Sequence, residues 1–299
     1  MLFDIHIGIS VGMRSKPALQ GTPLKRRPRA CHVRGQQRQD RMLFRNRSDE
    51  KAKWQMTLKK IGCLTFLLFF STQGYGGLAF SAEYRIGGVN PEALLCRPEG
   101  KGPFPAVVHN HGVGVDIQGH QKAVKRGYNL PAICKDLATD GFLTFVPIRQ
   151  GGSGLRTLPS HKAQVLEAID YVKSLPDVDP SRVAVTGNSR GGLLTLMVGV
   201  EQPDLKALVI MAPAEIGRNF SNALSQISSL NAPVLLLVEK SDEPEFQNNF
   251  DALDRILREH KKEVKSIRYD RGGGHNLFHS AGYYLEDIKA FLREKLGGK

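Results

Sequence analysis

The chain has 299 residues, enough for one large or two modest domains. Its formal net charge of +13 is unevenly spread: residues 1–60 hold 15 Lys and Arg against 4 Asp and Glu, which leaves 27 basic and 25 acidic side chains for the rest. The near-neutral body excludes nucleic acid as a partner of anything but the basic front end.

That front end has its own pattern. From Lys25-Arg26-Arg27-Pro28-Arg29 through Arg47 there is neither helical nor strand periodicity. Met56 then precedes Lys59-Lys60, an apolar core from Ile61 to Phe70, and Ala79-Phe80-Ser81, with small residues where a signal peptidase reads. The core is too short for a membrane span of about 20 residues. The expectation is that translation starts at Met56, residues 1–55 being an upstream over-extension and residues 56–82 a signal peptide. Residues 83–299 would then be a single exported domain, periplasmic or extracellular, with no stable membrane insertion after signal cleavage. A disordered basic arm that binds nucleic acid and a retained membrane anchor are the competing readings. Arg26-Arg27 lies too far from the apolar core for a twin-arginine signal.

Beyond residue 83, apolar β-branched runs alternate with helical patterns. In chain order, strands are expected at Ala93–Cys96 and, after Pro103-Phe104-Pro105, at Ala106–Asn110. A glycine-bearing loop leads to a helix over Pro131–Ala138 that ends near Gly141. Strand Phe142–Val146, the glycine loop Arg149–Gly154 and a helix over His161–Leu175 follow, the last with Val165, Ala168, Ile169 and Val172 at helical spacing. Strand Arg182–Thr186 runs into Gly187-Asn188-Ser189-Arg190-Gly191 and a helix-like run Gly192–Val198. Strands Ala207–Met211 and Pro233–Val238 flank a helical stretch; helix Phe250–His260, strand Val264–Tyr269 and amphipathic helix Tyr284–Leu296 close the chain. This alternation implies an α/β fold, a mostly parallel central sheet of about 7–8 strands with helices on both faces. Only about twenty residues separate Met211 from Pro233, too few for a large lid, so the cleft should be open. Cys31 and Cys63 fall in the discarded part, while Cys96 and Cys134 form either a disulfide or two buried thiols. His109 and His111 stand two apart on a strand with no Cys or carboxylate cluster nearby, so no metal is expected, and no cofactor motif is present.

The pentapeptide Gly187–Gly191 reads G-x-S-x-G between a strand and a helix, the context of a nucleophile elbow. The plainer reading is a serine in a glycine-rich β–α turn that binds phosphate. A serine hydroxyl needs a base, and the base needs an orienting acid. Functional groups in a parallel sheet gather past the carboxyl ends of its strands. After the strand at 233–238 come Glu239, Asp242, Glu243 and Glu245; after 264–269 comes Gly272-Gly273-Gly274-His275. His275 is the expected base, with His279 its rival, and Asp242 the expected acid, with Glu239, Glu243 and Glu245 its rivals. The backbone N–H groups of Arg190 and Val113 are the expected oxyanion donors, while His111 shapes the turn. The pocket walls are expected from 113–130, 148–160 and 214–230. Arg149, Arg190 and Arg218 are either binders of an acidic substrate group or solvated charges.

With these residues in place the chain resembles an α/β-hydrolase. Arg97-Pro98-Glu99-Gly100, Phe104-Pro105-Ala106-Val107-Val108, His111-Gly112 and Ser189-Arg190-Gly191-Gly192 resemble the dienelactone-hydrolase and prolyl-oligopeptidase-like branch. The resemblance covers nearly all of 83–299 and implies a hydrolase with a Ser189–His275–Asp242 triad, acting on a small-molecule ester or a short peptide. It departs in two ways: dienelactone hydrolases carry cysteine where this chain has Ser189, and the peptidases carry a large extra domain for which there is no room. A serine esterase is the leading expectation, a peptidase or amidase the second, and a non-catalytic binding protein on a hydrolase fold the third.

Overall fold

The computed structural model describes residues 92–297. The over-extension, basic-arm and signal-peptide readings, with Cys31 and Cys63, lie outside the described residues. In chain order the elements are β1 (Ala93–Cys96), β2 (Phe104–Asn110), α1 (Val113–Gln118), α2 (His120–Val124), α3 (Leu130–Thr139), β3 (Leu143–Pro147), α4 (Leu158–Ser174), β4 (Val178–Asn188), α5 (Arg190–Glu201), β5 (Ala207–Met211), α6 (Asn219–Leu224), β6 (Val234–Glu239), α7 (Pro244–Glu259), β7 (Val264–Tyr269) and α8 (Tyr284–Leu296). Short 3-10 turns lie at Leu155–Thr157, Ile227–Ser229 and Gly274–His279.

Seven strands form one sheet in the order β1-β3-β2-β4-β5-β6-β7. Only β1 runs antiparallel, pairing Ala93 with Pro147 and Cys96 with Thr144; all other neighbours are parallel. The parallel strands are buried on both faces, which is why β3, β5 and β6 read as unbroken apolar runs. Parallel crossovers are right-handed. From β2 to β3 the chain steps toward β1, whereas from β3 onward it steps the other way across the sheet. A constant handedness therefore puts α3 on one face and α4 to α7 on the other. The contacts agree: α3 packs with α8, and α4 with α5. The reversal of direction lies between β2 and β4, so a crevice opens at their carboxyl ends.

Several boundaries differ from those expected. Helices α4 and α7 begin at Leu158 and Pro244 rather than His161 and Phe250, each with proline in its first two positions, where a missing N–H costs nothing. Strand β4 starts at Val178, whose pairing with Phe104 precedes a register shift; the polar stretch 179–182 hides this extension from an apolar pattern. Helices α1 and α2 fall within what reads as a glycine loop. Cys96 at the end of β1 and Cys134 in α3 form a disulfide, their Cα atoms 5.8 Å apart. Between β5 and β6 stand only the six-residue α6 and one 3-10 turn. No helix of the described residues is long and apolar enough to cross a membrane.

Candidate active site

Ser189 sits between β4 and α5 with φ 57° and ψ −120°, a backbone conformation that costs a side-chain-bearing residue energy and persists only where its surroundings dictate it. The surroundings do so here. Ser189 N–H donates to Met211 O at 2.9 Å, and Ser189 O accepts from Leu193 N at 3.0 Å and Ala214 N at 3.1 Å. The flanking glycines are needed for close approach. A Cβ on Gly187 would lie 2.4 Å from Gly191 O, and one on Gly191 would lie 2.0 Å from Asn110 O. Helix α5 is buried almost all round, so the turn is anchored in the core.

The loop after β2 lies against this turn. A Cβ on Gly112 would meet Asn188 Nδ2 at 3.1 Å and the Ser189 Cβ at 3.6 Å. Val113 and Arg190 are the first residues of α1 and α5, and first-turn N–H groups have no acceptor within their own helix. Both expected oxyanion donors thus belong to helix starts that converge beside Ser189.

Past the ends of β6 and β7, His275 Nδ1 lies 3.0 Å from Asp242 Oδ2. The other Asp242 oxygen accepts from Glu243 N at 2.8 Å, and the Asp242 side chain is fully buried. Three successive glycines with positive φ, Gly272, Gly273 and Gly274, curl the chain from β7 into the 3-10 turn that carries His275. The Phe246 ring stacks on the imidazole at a centroid distance of 3.9 Å. With Nδ1–H donating to the carboxylate, Nε2 is the nitrogen free to take a proton. Among the described residues no hydrogen bond joins Ser189 Oγ to His275. The structure thus joins Asp242 to His275 and the Gly112–Val113 loop to Ser189, and leaves the Ser189–His275 hydrogen bond unmade.

The rival residues have other places. His279 stacks on Tyr128 at 3.8 Å, contacts His275 only edge-on, and is lowered to about 4 by burial and then by His275. Glu245 accepts from Glu215 N at 3.3 Å, and Glu243 is exposed. Glu239 faces the backbone of two loops rather than an imidazole. His111 is buried with Nδ1 2.9 Å from Gly112 O; burial and then Arg149 hold its pKa well below the usual value, so it stays neutral and shapes the turn.

A cluster unseen in the sequence lies behind the oxyanion loop. Arg149 Nη2 donates to Asp116 Oδ2 at 2.8 Å and to His111 O at 2.7 Å. Arg190 Nε lies 3.7 Å from Asp116 Oδ2 and donates to His161 Nδ1 at 3.2 Å, and its Nη1 donates to Ser153 O at 2.7 Å. Burial raises the Asp116 carboxyl, and the two guanidinium groups oppose that. Both arginines are buried, Arg149 4% and Arg190 2% exposed, and turn inward: Arg149 bonds through Nη2, its Nε and Nη1 having no partner among the described residues, and Arg190 through all three guanidinium nitrogens. Only Arg218 of the three is exposed. The sequence carried no mark of this cluster, because Asp116 lies in a helix that reads as loop.

Among the described residues no group of three or more His, Cys, Asp and Glu side chains could hold a metal ion. A groove of about 490 Å³ lies beside the disulfide, lined by Cys96, Arg97, Lys135 and Asp140, and contains none of the residues above.

Known proteins bear on this arrangement. An Escherichia coli (strain K12) protein named "Putative carboxymethylenebutenolidase" is 28% identical over 219 residues, covering 66% of this chain and 77% of its own. A solved structure described as "Putative Dienelactone Hydrolase" from Klebsiella pneumoniae is 24% identical with a TM-score of 0.55, covering 74% of this chain and 97% of its own. A fungal esterase structure from Rhizomucor miehei is 17% identical with a TM-score of 0.57, covering 71% of this chain and 82% of its own. The two structures carry the fold, an α/β-hydrolase with its mostly parallel sheet. The profile of the dienelactone hydrolase family matches residues 92–283, and the chain belongs to that family.

Proposed function

We propose that this hydrolase is an exported serine esterase that cleaves small or medium carboxylic esters through an acyl-enzyme on Ser189. The observation that carries the reading is the 3.0 Å contact of His275 with a buried Asp242, at the same edge of the sheet as a serine in strained backbone. His275 Nε2 takes the Ser189 proton as Oγ attacks the ester carbonyl. Asp242 holds the tautomer and stabilises the imidazolium. The N–H groups of Val113 and Arg190 receive the oxyanion, each such donor contributing about 3–4 kcal/mol. Collapse expels the alcohol, protonated by His275, and water then releases the acid by the same steps. Export rests on the pattern of residues 56–82.

The test is a panel of aryl and alkyl esters varying in acyl length and charge, with enol-lactones and aminoacyl amides beside them. Ester hydrolysis and fluorophosphonate labelling should both vanish in Ser189→Ala while the fold persists. Hydrolysis of aminoacyl amides with inert esters, or full activity in Ser189→Ala, would overturn the reading.

A further inference from the structure

Asp242 and His275 stand on different loops, one leaving β6 and the other β7. Their bond survives only if those loops keep a fixed spacing. The ladder cannot hold it, since the β6–β7 pairing ends at Glu239 and Tyr269, followed by one bond from Lys240 N to Tyr269 O. Past that point the loops are joined at the surface by the exposed Lys240–Asp270 ion pair at 2.8 Å and in the interior by the side chain of Glu239. This carboxylate is fully buried, and among the described residues no Lys, Arg or His side chain donates to it. Oε2 accepts from the backbone N–H of Ser241 at 2.6 Å and from the Ser241 hydroxyl. Oε1 accepts from Gly272 N at 2.9 Å and Arg271 N at 3.1 Å. Each oxygen therefore serves one loop: Oε2 the residue before Asp242, Oε1 the start of the glycine run before His275. The loops also meet directly, since a Cβ on Gly274 would lie 3.3 Å from Ser241 O.

A buried carboxylate without a cation is expensive unless its lone pairs are filled, and four donors fill them here. An apolar or neutral side chain could occupy the volume, but only an anion accepts at both ends. The amide of a glutamine has one accepting oxygen, and its NH₂ would face N–H donors of one loop or the other.

We propose that Glu239 is a positioning residue for the reaction, clamping the Asp242 loop to the His275 loop and acting through the Asp242–His275 bond. The inference rests on the triad reading above. Its test uses the full enzyme and an aryl acetate. In folded Glu239→Gln, kcat should fall about 10- to 100-fold with KM within about twofold, the range expected of coupled neighbours. In an Asp242→Asn background the same substitution should cost less than about threefold further, because the bond it supports is already lost. Ser241→Ala removes one of the four donors from an exposed residue and should lower kcat about two- to tenfold; it carries the test if Glu239→Gln does not fold. Unchanged kcat in the single variants, or equal losses in both backgrounds, would overturn the clamp. An activity that does not depend on Ser189 would overturn the triad instead, so the two failures are distinguishable.

Discussion

Asp242→Asn probes the site most sharply, because the structure dictates how the amide must sit. One carboxylate oxygen accepts from Glu243 N at 2.8 Å and the other from His275 at 3.0 Å. An asparagine has one oxygen for these two jobs. If the oxygen stays with Glu243, the amide NH₂ meets His275 Nδ1, which must then be an acceptor. The imidazole proton moves to Nε2, the nitrogen that has to receive the Ser189 proton, and the enzyme rests in an inactive tautomer. If the amide flips, His275 is correct but Glu243 N faces a donor, at about 1–3 kcal/mol for the unmade bond. The active arrangement is then a minor one, and the imidazolium formed during attack has lost its counter-charge as well. A rate loss of about 10⁴, the size such a change has in serine triads, corresponds to about 5 kcal/mol. The flip supplies up to about half and the missing charge the remainder. The assay is kcat on an aryl acetate, with fluorophosphonate labelling as a second measure of nucleophile activation. A loss below about tenfold would refute the assignment and return Glu243 or Glu245 to consideration.

Further outcomes follow from packing and burial. His109, His161 and His279 are each lowered to about 4, first by burial and then by Arg149, by Arg149 and Arg190, and by His275 respectively. The unfolded chain binds these protons near pH 6.5 and the folded chain only near 4. Stability is therefore whole above 6.5 and declines as pH falls toward 4, by about 2 kcal/mol per histidine at pH 5. Urea midpoints between pH 5 and 6.5 should show this, and a slope below one proton would contradict it. The disulfide spans a sequence separation of 38, for which loop closure predicts about 4 kcal/mol; the Cys96→Ala/Cys134→Ala protein should melt about 8–16 °C lower by calorimetry. Asp116→Ala leaves two buried guanidinium groups without their carboxylate, and chemical denaturation should read a loss of about 3–5 kcal/mol.

What the sequence determined by itself is what repeats locally along the backbone. The runs Ala207–Met211 and Val264–Tyr269 and the helix Tyr284–Leu296 stand where their periodicity puts them, end to end. The elbow was legible because Gly187 and Gly191 are a local requirement of one turn. Glycine-rich and short helices were not: Gly112, Gly114 and Gly119 punctuate α1 and α2 and erase their signature.

Pairings between distant residues belong to the tertiary structure. Glu239, Asp242, Glu243 and Glu245 are interchangeable in one dimension. Only the curl of the Gly272–Gly274 loop selects Asp242 for His275 and leaves Glu239 to bind backbone. Asp116 in α1, Arg149 on the loop after β3 and Arg190 at the start of α5 meet because the sheet reverses its strand order between β2 and β4. The Cys96–Cys134 bond is decided the same way, by α3 crossing beside the antiparallel edge strand. Periodicity encodes which face of an element is buried; the order of strands and the handedness of crossovers decide which buried groups face one another.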